Sequence, residues 1–164
     1  MVLGMSLATY TVIHVAISLI AIGTGLIVLF GLLQGRLLNP TNGIFLLFTV
    51  LTSVTGFFFP YEKITPGIIL GVLSLIVLAI ALLALYAFHL KGIWRTTYVV
   101  TALIALYFNC FVLIAQIFMK VPFFHALAPT GTEAPFKIAQ FLLLIITIAL
   151  IIMAAKRFRL ALPA

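Results

Sequence analysis

One histidine stands inside a long apolar segment, and its side chain has the widest chemical range in the chain. His14 lies about two helical turns into the first apolar segment, or roughly 9 Å along a helix axis. Ionisable side chains are costly inside a membrane, so such a residue indicates a functional site. A histidine there can bind haem iron or another metal, hydrogen-bond to a quinone head group, or bond to a neighbouring helix. The sequence alone leaves these interpretations open.

Three other side chains are predicted to lie on the same side of the membrane as His14. Gln116 and Gln140 fall in the outer third of the fourth and fifth apolar segments, and Glu133 precedes the fifth segment. Amide and carboxylate groups at similar depth favour hydrogen bonding to a polar head group. These four residues therefore predict a polar crevice that opens to the outer face and binds a lipid or a quinone.

A second set of polar residues is predicted to pack helices together. Ser18, Thr52 and Asn109 lie within the first, second and fourth apolar segments. Hydroxyl and amide side chains in membrane helices often hydrogen-bond to neighbouring helices, which contributes about 1 kcal/mol each. We interpret this set as interhelical polar packing rather than as part of a binding site.

Haem and metal sites are less favoured by the spacing of the possible ligands. His14 and His89 are predicted at opposite membrane faces, and His125 stands in a loop flanked by prolines. Two b-type haems would need four histidines, and the chain has three. A single b-type haem bound through His14 stays an alternative. No ligand cluster has metal-site spacing, and the lone Cys110 cannot form an internal disulfide or a CxxC pair.

The charge distribution identifies the elements that must position these residues. Only 7% of residues are charged, against about 25% in a soluble domain. A helix needs about 20 apolar residues to cross the hydrocarbon core. Charge-free windows of this length occur at 1–35, 37–61, 64–90, 96–119 and 138–155. They predict one all-α membrane domain over residues 1–164, with five transmembrane helices at about 8–33, 42–59, 66–89, 97–119 and 136–155.

The basic residues are distributed unequally between the two predicted sides. One side carries six bases and no acid: Arg36, Lys91, Arg95, Lys156, Arg157 and Arg159. The other side carries three bases and both acids: Lys63, Lys120, Lys137, Glu62 and Glu133. The positive-inside rule places the N-terminus outside and the C-terminus in the cytoplasm. Bases at helix ends suit anionic lipid head groups, so the net charge of +7 predicts membrane lipids, and no nucleic acid, as partners.

The sequence favours a protein without catalytic activity. The two carboxylates lie in separate loops, and no nucleophile–base pair or phosphate-binding glycine motif is present. The first interpretation is an accessory or partner subunit of a membrane assembly, bound to another membrane protein or to copies of itself. The alternative is a lipid- or quinone-binding module with an outer-leaflet pocket near His14. A b-type haem electron carrier is the third.

Four stretches carry a resemblance to known proteins: 14–31 (HVAISLIAIGTGLIVLFG), 51–60 (LTSVTGFFFP), 86–90 (YAFHL) and 107–135 (YFNCFVLIAQIFMKVPFFHALAPTGTEAP). Over most of its length the chain resembles a family of small proteobacterial inner-membrane proteins that carries no established activity. The resemblance implies a multi-pass protein of the bacterial inner membrane. The opening pattern, a histidine followed by small residues at every third or fourth position, is also similar to that of membrane b-type cytochromes, although the histidine count does not fit them.

Overall fold

The computed structural model describes residues 2–161, and it confirms the prediction of an all-helical protein. Helices make up 80% of the chain, and no strand occurs in the described range. Six α-helices follow one another: α1 Leu7–Leu33, α2 Asn39–Gly56, α3 Pro66–Leu82, α4 Ile93–Lys120, α5 Pro122–Leu127 and α6 Ala134–Ala161. A π-helical turn, Leu83–Ala87, extends α3. The predicted domain of residues 1–164 also includes Met1 and residues 162–164, which lie outside the described residues.

Side-chain caps and prolines define several helix ends. Ser6 caps α1 by accepting a hydrogen bond from the Thr9 amide at 3.1 Å. The Thr65 hydroxyl accepts from the Ile68 amide at 3.3 Å, and Pro66 occupies the first turn of α3. Both arrangements satisfy amides that have no partner within the helix. The sequence therefore predicts the start of α3 at Pro66, where the structure places it.

Prolines also explain where other boundaries depart from the expected ones. The second helix, expected at 42–59, is α2 at Asn39–Gly56. It begins earlier than expected because proline fits the first turn of a helix. α4 ends at Lys120 because Val121 precedes a proline and adopts an extended backbone. The loop expected after α4 contains the short helix α5, Pro122–Leu127.

Helices α1 to α4 form a four-membered ring, and α6 packs outside it. α1 contacts α2, α2 contacts α3, α3 contacts α4, and α4 closes the ring against α1. α1 and α2 are antiparallel along most of their length, since Gly25 faces Phe45 and His14 contacts Thr55. α6 lies against α1 and α4. Its C-terminal end is joined to α1 because Arg157 Nη1 donates to Leu33 O at 3.1 Å, which satisfies a carbonyl at the end of α1.

Aromatic contacts hold the connections at the two ends of the ring. The end of the ring that holds the start of α1 is named the outer end, and the opposite one the inner end. At the outer end, Phe118 of α4 packs against Phe124 of α5 and Phe136 of α6, with ring centroids 5.3 and 5.5 Å apart. At the inner end, Phe88 and Trp94 stack with their centroids 3.8 Å apart. These contacts bring the end of α3 against the start of α4, and the end of α4 against the start of α6.

The turn between α3 and α4 carries backbone strain. His89 and Leu90 are consecutive residues with φ of 49° and 58°, a region that non-glycine residues seldom occupy. The Leu90 amide donates to Ala84 O at 3.0 Å, within the π-helical turn. Leu90 is buried in the core, and this burial offsets part of the cost of the backbone conformation.

Four helices are long and apolar enough to cross a membrane: Leu7–Leu33, Pro66–Ala87, Ile93–Lys120 and Ala134–Phe158. Two described helices lie outside this set: the short α5, and α2, which has 18 residues and begins with the polar sequence Asn39-Pro40-Thr41-Asn42. α2 is nevertheless one of the four ring helices, and Asn42, Phe45, Leu46, Thr49 and Ser53 are buried on it. Three of its polar residues, Asn42, Thr49 and Ser53, therefore face protein.

Among the described glycines, Gly25 leaves the least room for a side chain. A Cβ added to this glycine would stand 2.7 Å from Leu106 Cδ1 and 2.8 Å from Phe45 Cε2. The Phe45 ring is fully buried and cannot move aside freely. The glycine therefore permits the contact between α1, α2 and α4, as small residues do in membrane helices.

Gly25→Ala is expected to lower the free energy of unfolding by about 1–3 kcal/mol, because the added methyl group overpacks the core. Gly23→Ala is the matched control, since nothing lies within 4 Å of the added Cβ. This control should be neutral or stabilising by up to about 1 kcal/mol through helix propensity. Denaturant titration in detergent micelles, followed by circular dichroism, measures both. Equal stabilities of the two variants would contradict the proposed close contact.

Candidate outer-end histidine site

The candidate site lies where the start of α1 meets the end of α2. Tyr10 and His14 are four residues apart and so occupy the same face of α1. Both bond to Thr55: Tyr10 OH donates to the Thr55 carbonyl at 2.7 Å, and His14 Nδ1 lies 2.7 Å from the Thr55 hydroxyl oxygen. The Thr55 carbonyl is one of the last four carbonyls of α2, and no amide within the helix donates to these carbonyls.

The loop after α2 adds an aromatic wall to this site. The Phe59 ring stands edge-on to both Tyr10 and His14, with centroid distances of 5.1 Å in each case. Tyr61 continues the wall at 6.4 Å from Phe59. The loop is anchored on the other side by Phe57, whose ring lies against Gly71 of α3. We name Tyr10, His14, Thr55, Phe59 and Tyr61 the outer-end site.

The hydrogen bonds of Thr55 indicate which nitrogen of His14 carries the proton. The Thr55 hydroxyl lies 2.7 Å from Leu51 O, and a carbonyl can only accept. The Thr55 hydroxyl donates to Leu51 O, and in that arrangement its oxygen accepts from His14. We assign the proton of the neutral ring to Nδ1, which leaves a lone pair on Nε2. No protein partner of Nε2 occurs in the described part of the chain, and the ring is half-buried.

The other residues of the predicted crevice have separate environments. Gln140 is buried, and its Nε2 donates to the Phe111 carbonyl of α4 at 3.0 Å. Its Oε1 is enclosed and has no hydrogen-bond partner among residues 2–161. Gln116 is half-buried on α4. The structure thus places Gln140 at the α4–α6 contact, whereas the contacts of His14 are with α2 and the loop that follows it.

Glu133 is committed to its own loop. Its carboxylate accepts from the Thr130 hydroxyl at 2.7 Å, from the Thr130 amide at 3.0 Å and from the Thr132 amide at 3.0 Å. The Thr130 hydroxyl bond, with the amide bonds, lowers the pKa of this carboxyl to about 2. Because folding depresses the pKa of this carboxyl, its bonds stabilise the fold fully at a pH above the ordinary pKa of a glutamate. This stabilisation is lost as the pH falls through about 2. Glu133 therefore orders the segment before α6.

The residues predicted to pack helices together divide into two groups. Asn109 Nδ2 donates across the α2–α4 contact to the Thr49 hydroxyl at 3.3 Å. The hydroxyl groups of Ser18 and Thr52 instead donate to carbonyls of their own helices, His14 O and Phe48 O, both at 2.8 Å. Such back-bonding satisfies a hydroxyl group in an apolar environment without a partner helix.

A second bond joins α2 and α4, and the sequence does not predict it. Tyr98 OH of α4 donates to Asn42 Oδ1 of α2, and both side chains are fully buried. Tyr10, Thr55 and Phe59 were likewise missed as neighbours of His14, although the four-residue spacing of Tyr10 and His14 was a usable signal.

A separate apolar crevice lies between α1, α4 and α6. It encloses about 160 Å³, and its mainly aliphatic lining also includes Tyr107, Cys110 and Thr147. Leu26 forms part of its wall on α1, twelve residues or about 18 Å along the helix from His14. The crevice and the outer-end site are therefore distinct places in the fold.

The comparisons with known proteins leave the site to be interpreted from its geometry. No family model matches the chain, and no curated protein or solved structure matches it either. Within the described residues, no group of three or more His, Cys, Asp or Glu side chains could hold a metal ion. The resemblance to proteobacterial inner-membrane proteins stays a prediction.

Removal of the Tyr98 hydroxyl tests the buried α2–α4 bond. Tyr98→Phe leaves Asn42 Oδ1 enclosed without a donor, so we expect the free energy of unfolding to fall by about 1 kcal/mol. Tyr86→Phe is the matched control because Tyr86 is 60% exposed on the π-helical turn, and it should change stability by less than about 0.5 kcal/mol. Both variants are measured by denaturant titration in micelles. Equal effects would show that the buried bond contributes nothing specific.

Proposed function

We propose that the chain crosses a bacterial inner membrane five times, and that α2 is a span in addition to the four long apolar helices. The support is the antiparallel packing of α2 along α1, because a helix beside a spanning helix for its full length returns to the side where that helix began. The 18 residues of α2 extend about 27 Å, close to the thickness of the hydrocarbon core. The polar residues of α2 are compatible with a span because they are buried by neighbouring helices.

The charge asymmetry gives the orientation that we propose for this bundle. Six bases lie at one end of the predicted helices, and three bases and two acids lie at the other end. The N-terminus and the outer-end site then face outward, and the C-terminus lies in the cytoplasm.

Single-cysteine labelling tests the span count and the orientation together. In a Cys110→Ala background, Glu62→Cys reports on the loop after α2, and Arg36→Cys reports on the loop after α1. We expect an impermeant thiol reagent to label Glu62→Cys, and not Arg36→Cys, in bacterial cells whose outer membrane alone is permeable. Labelling of both sites would overturn α2 as a span, and labelling of Arg36→Cys alone would overturn the orientation. Detergent-solubilised samples, in which both cysteines should react, are the control.

We propose that the protein binds an amphipathic ligand, a lipid or a quinone, whose head group enters the outer-end site. The observation that carries this proposal is the half-buried His14, held by Thr55 and Phe59 with its Nε2 lone pair unused. An intramembrane lone pair without a partner is unfavourable unless something else supplies a hydrogen-bond donor. The Thr55 hydroxyl and the aromatic rings around His14 suit binding and orientation rather than acid–base chemistry.

Ligand retention after purification tests this function. In mild detergent, the wild-type protein should carry a stoichiometric amphipathic molecule, detected by mass spectrometry of the extract. His14→Ala should reduce its amount at least severalfold. His125→Ala is the surface control and Asn109→Ala the core control, and both should retain more ligand than His14→Ala.

Two results would overturn the binding proposal. Equal retention in the wild type and in His14→Ala would remove His14 from the site. A wild-type preparation free of any bound amphipathic molecule would overturn the binding proposal as a whole. A Soret absorption band lost in His14→Ala would instead establish the b-type haem alternative, because haem has a visible spectrum that lipids and quinones lack.

The low burial of α6 favours a second candidate function, that of an accessory subunit. Of the 18-residue apolar stretch of α6, 11% is buried by the rest of the protein. The corresponding share is 22% to 44% for the other three long apolar helices. A partner membrane protein or a second copy of the chain would cover this helix. Purification in mild detergent with mass measurement of the intact complex distinguishes this role, since a monomer without a partner would contradict it.

A further inference from the structure

We infer that the outer-end site selects a ligand whose head group donates a hydrogen bond through an aromatic hydroxyl, as a membrane hydroquinone does, over the oxidised carbonyl form. This inference rests on the proposed binding function and names its ligand class. It follows from the positions of protons in a chain of three groups: His14, Thr55 and Leu51. Each link of that chain is set by a contact of 2.7 Å.

The chain of hydrogen bonds has a single direction. Leu51 O can only accept, so the proton of the Thr55 hydroxyl points toward it. The Thr55 oxygen then has lone pairs for His14, and the short contact to Nδ1 requires a proton on that nitrogen. A neutral imidazole carries one N–H, so Nε2 is an acceptor. The helix backbone of α2 thus fixes the hydrogen-bonding role that His14 presents to a ligand.

An acceptor at Nε2 discriminates between two redox forms of one ligand. A hydroquinone hydroxyl can donate to Nε2, whereas a quinone carbonyl brings a second acceptor against the first. To bind the carbonyl, His14 must move its proton to Nε2, and Thr55 must then turn its hydroxyl from Leu51 to Nδ1. The selectivity is therefore the free energy of about one hydrogen bond, which corresponds to roughly fivefold to tenfold in affinity.

The walls of the site favour a flat aromatic head group over an aliphatic one. Phe59 presents an edge to Tyr10 and to His14, and Tyr61 lies beside it. Aromatic rings attract one another in such edge-on and offset arrangements beyond the area that they bury. A hydroxyl-bearing lipid such as diacylglycerol has the same donor but lacks the ring.

Nitrogen-15 NMR of histidine-labelled protein tests the proton assignment without a ligand. Protonated and lone-pair ring nitrogens resonate in separate regions, and His14→Ala identifies the signal. We expect His14 to carry its proton on Nδ1 and to lose this preference in Thr55→Val, which has no oxygen to accept it. Thr52→Val is the matched control, because the Thr52 hydroxyl bonds only to Phe48 O. A wild-type His14 with its proton on Nε2 would overturn the inference.

Binding measurements in lipid nanodiscs test the selectivity. The probes are a hydroquinone with a ten-carbon tail, its quinone, its dimethyl ether and a short-chain diacylglycerol, measured anaerobically by equilibrium dialysis. We expect the hydroquinone to bind about fivefold to tenfold more tightly than the quinone and the ether. Thr55→Val should narrow this ratio to about twofold, and Thr52→Val should preserve it.

The outcomes separate this inference from the function on which it rests. If none of the probes binds, the proposed binding function fails. If the quinone binds as tightly as the hydroquinone, or more tightly, binding stands and the donor selectivity is overturned. If diacylglycerol binds as tightly as the hydroquinone while the quinone and the ether do not, the aromatic part is overturned and the ligand is a hydroxyl-bearing lipid.

Discussion

The arrangement of this bundle depends on how the polar residues of α2 are satisfied in an apolar environment. A polar group that faces hydrocarbon without a partner costs several kcal/mol, so the polar face of α2 must be covered by protein. Asn42 bonds to Tyr98, and Thr49 accepts from Asn109 while donating to a carbonyl of its own helix. These bonds turn the buried polar face of α2 toward the interior of the ring, with α1 and α3 at its sides and α4 across from it.

The outer-end site is a consequence of that placement. Because α2 lies antiparallel to α1, its last turn comes beside the first turns of α1, where Tyr10 and His14 share a face. The carbonyl of Thr55 then meets the Tyr10 hydroxyl, and the hydroxyl of Thr55 meets the His14 ring. The loop after α2 is short and begins with three phenylalanines, so an aromatic ring covers the contact.

α6 plays a different part in the molecule from the other long helices. It packs on the outside of the ring through a buried glutamine at one end and Arg157 at the other, with an apolar crevice between them. Most of its surface consists of large apolar side chains that suit lipid or another membrane helix. The buried polar bonds between α2 and α4 therefore lie within the ring, whereas α6 contributes a largely apolar exposed surface.

The sequence by itself determined the helical class, the approximate positions of the helices and several of their ends. Charge-free windows and prolines act locally, so Thr65 and Pro66 predict the start of α3 without knowledge of the fold. The tertiary structure alone decided that His14 meets Thr55, that Glu133 turns back to its own loop and that Asn42 pairs with Tyr98. In nearly uniform apolar helices, hydrophobicity does not specify rotation about the helix axis. Partners that are 41 or 56 residues apart are therefore fixed only by packing.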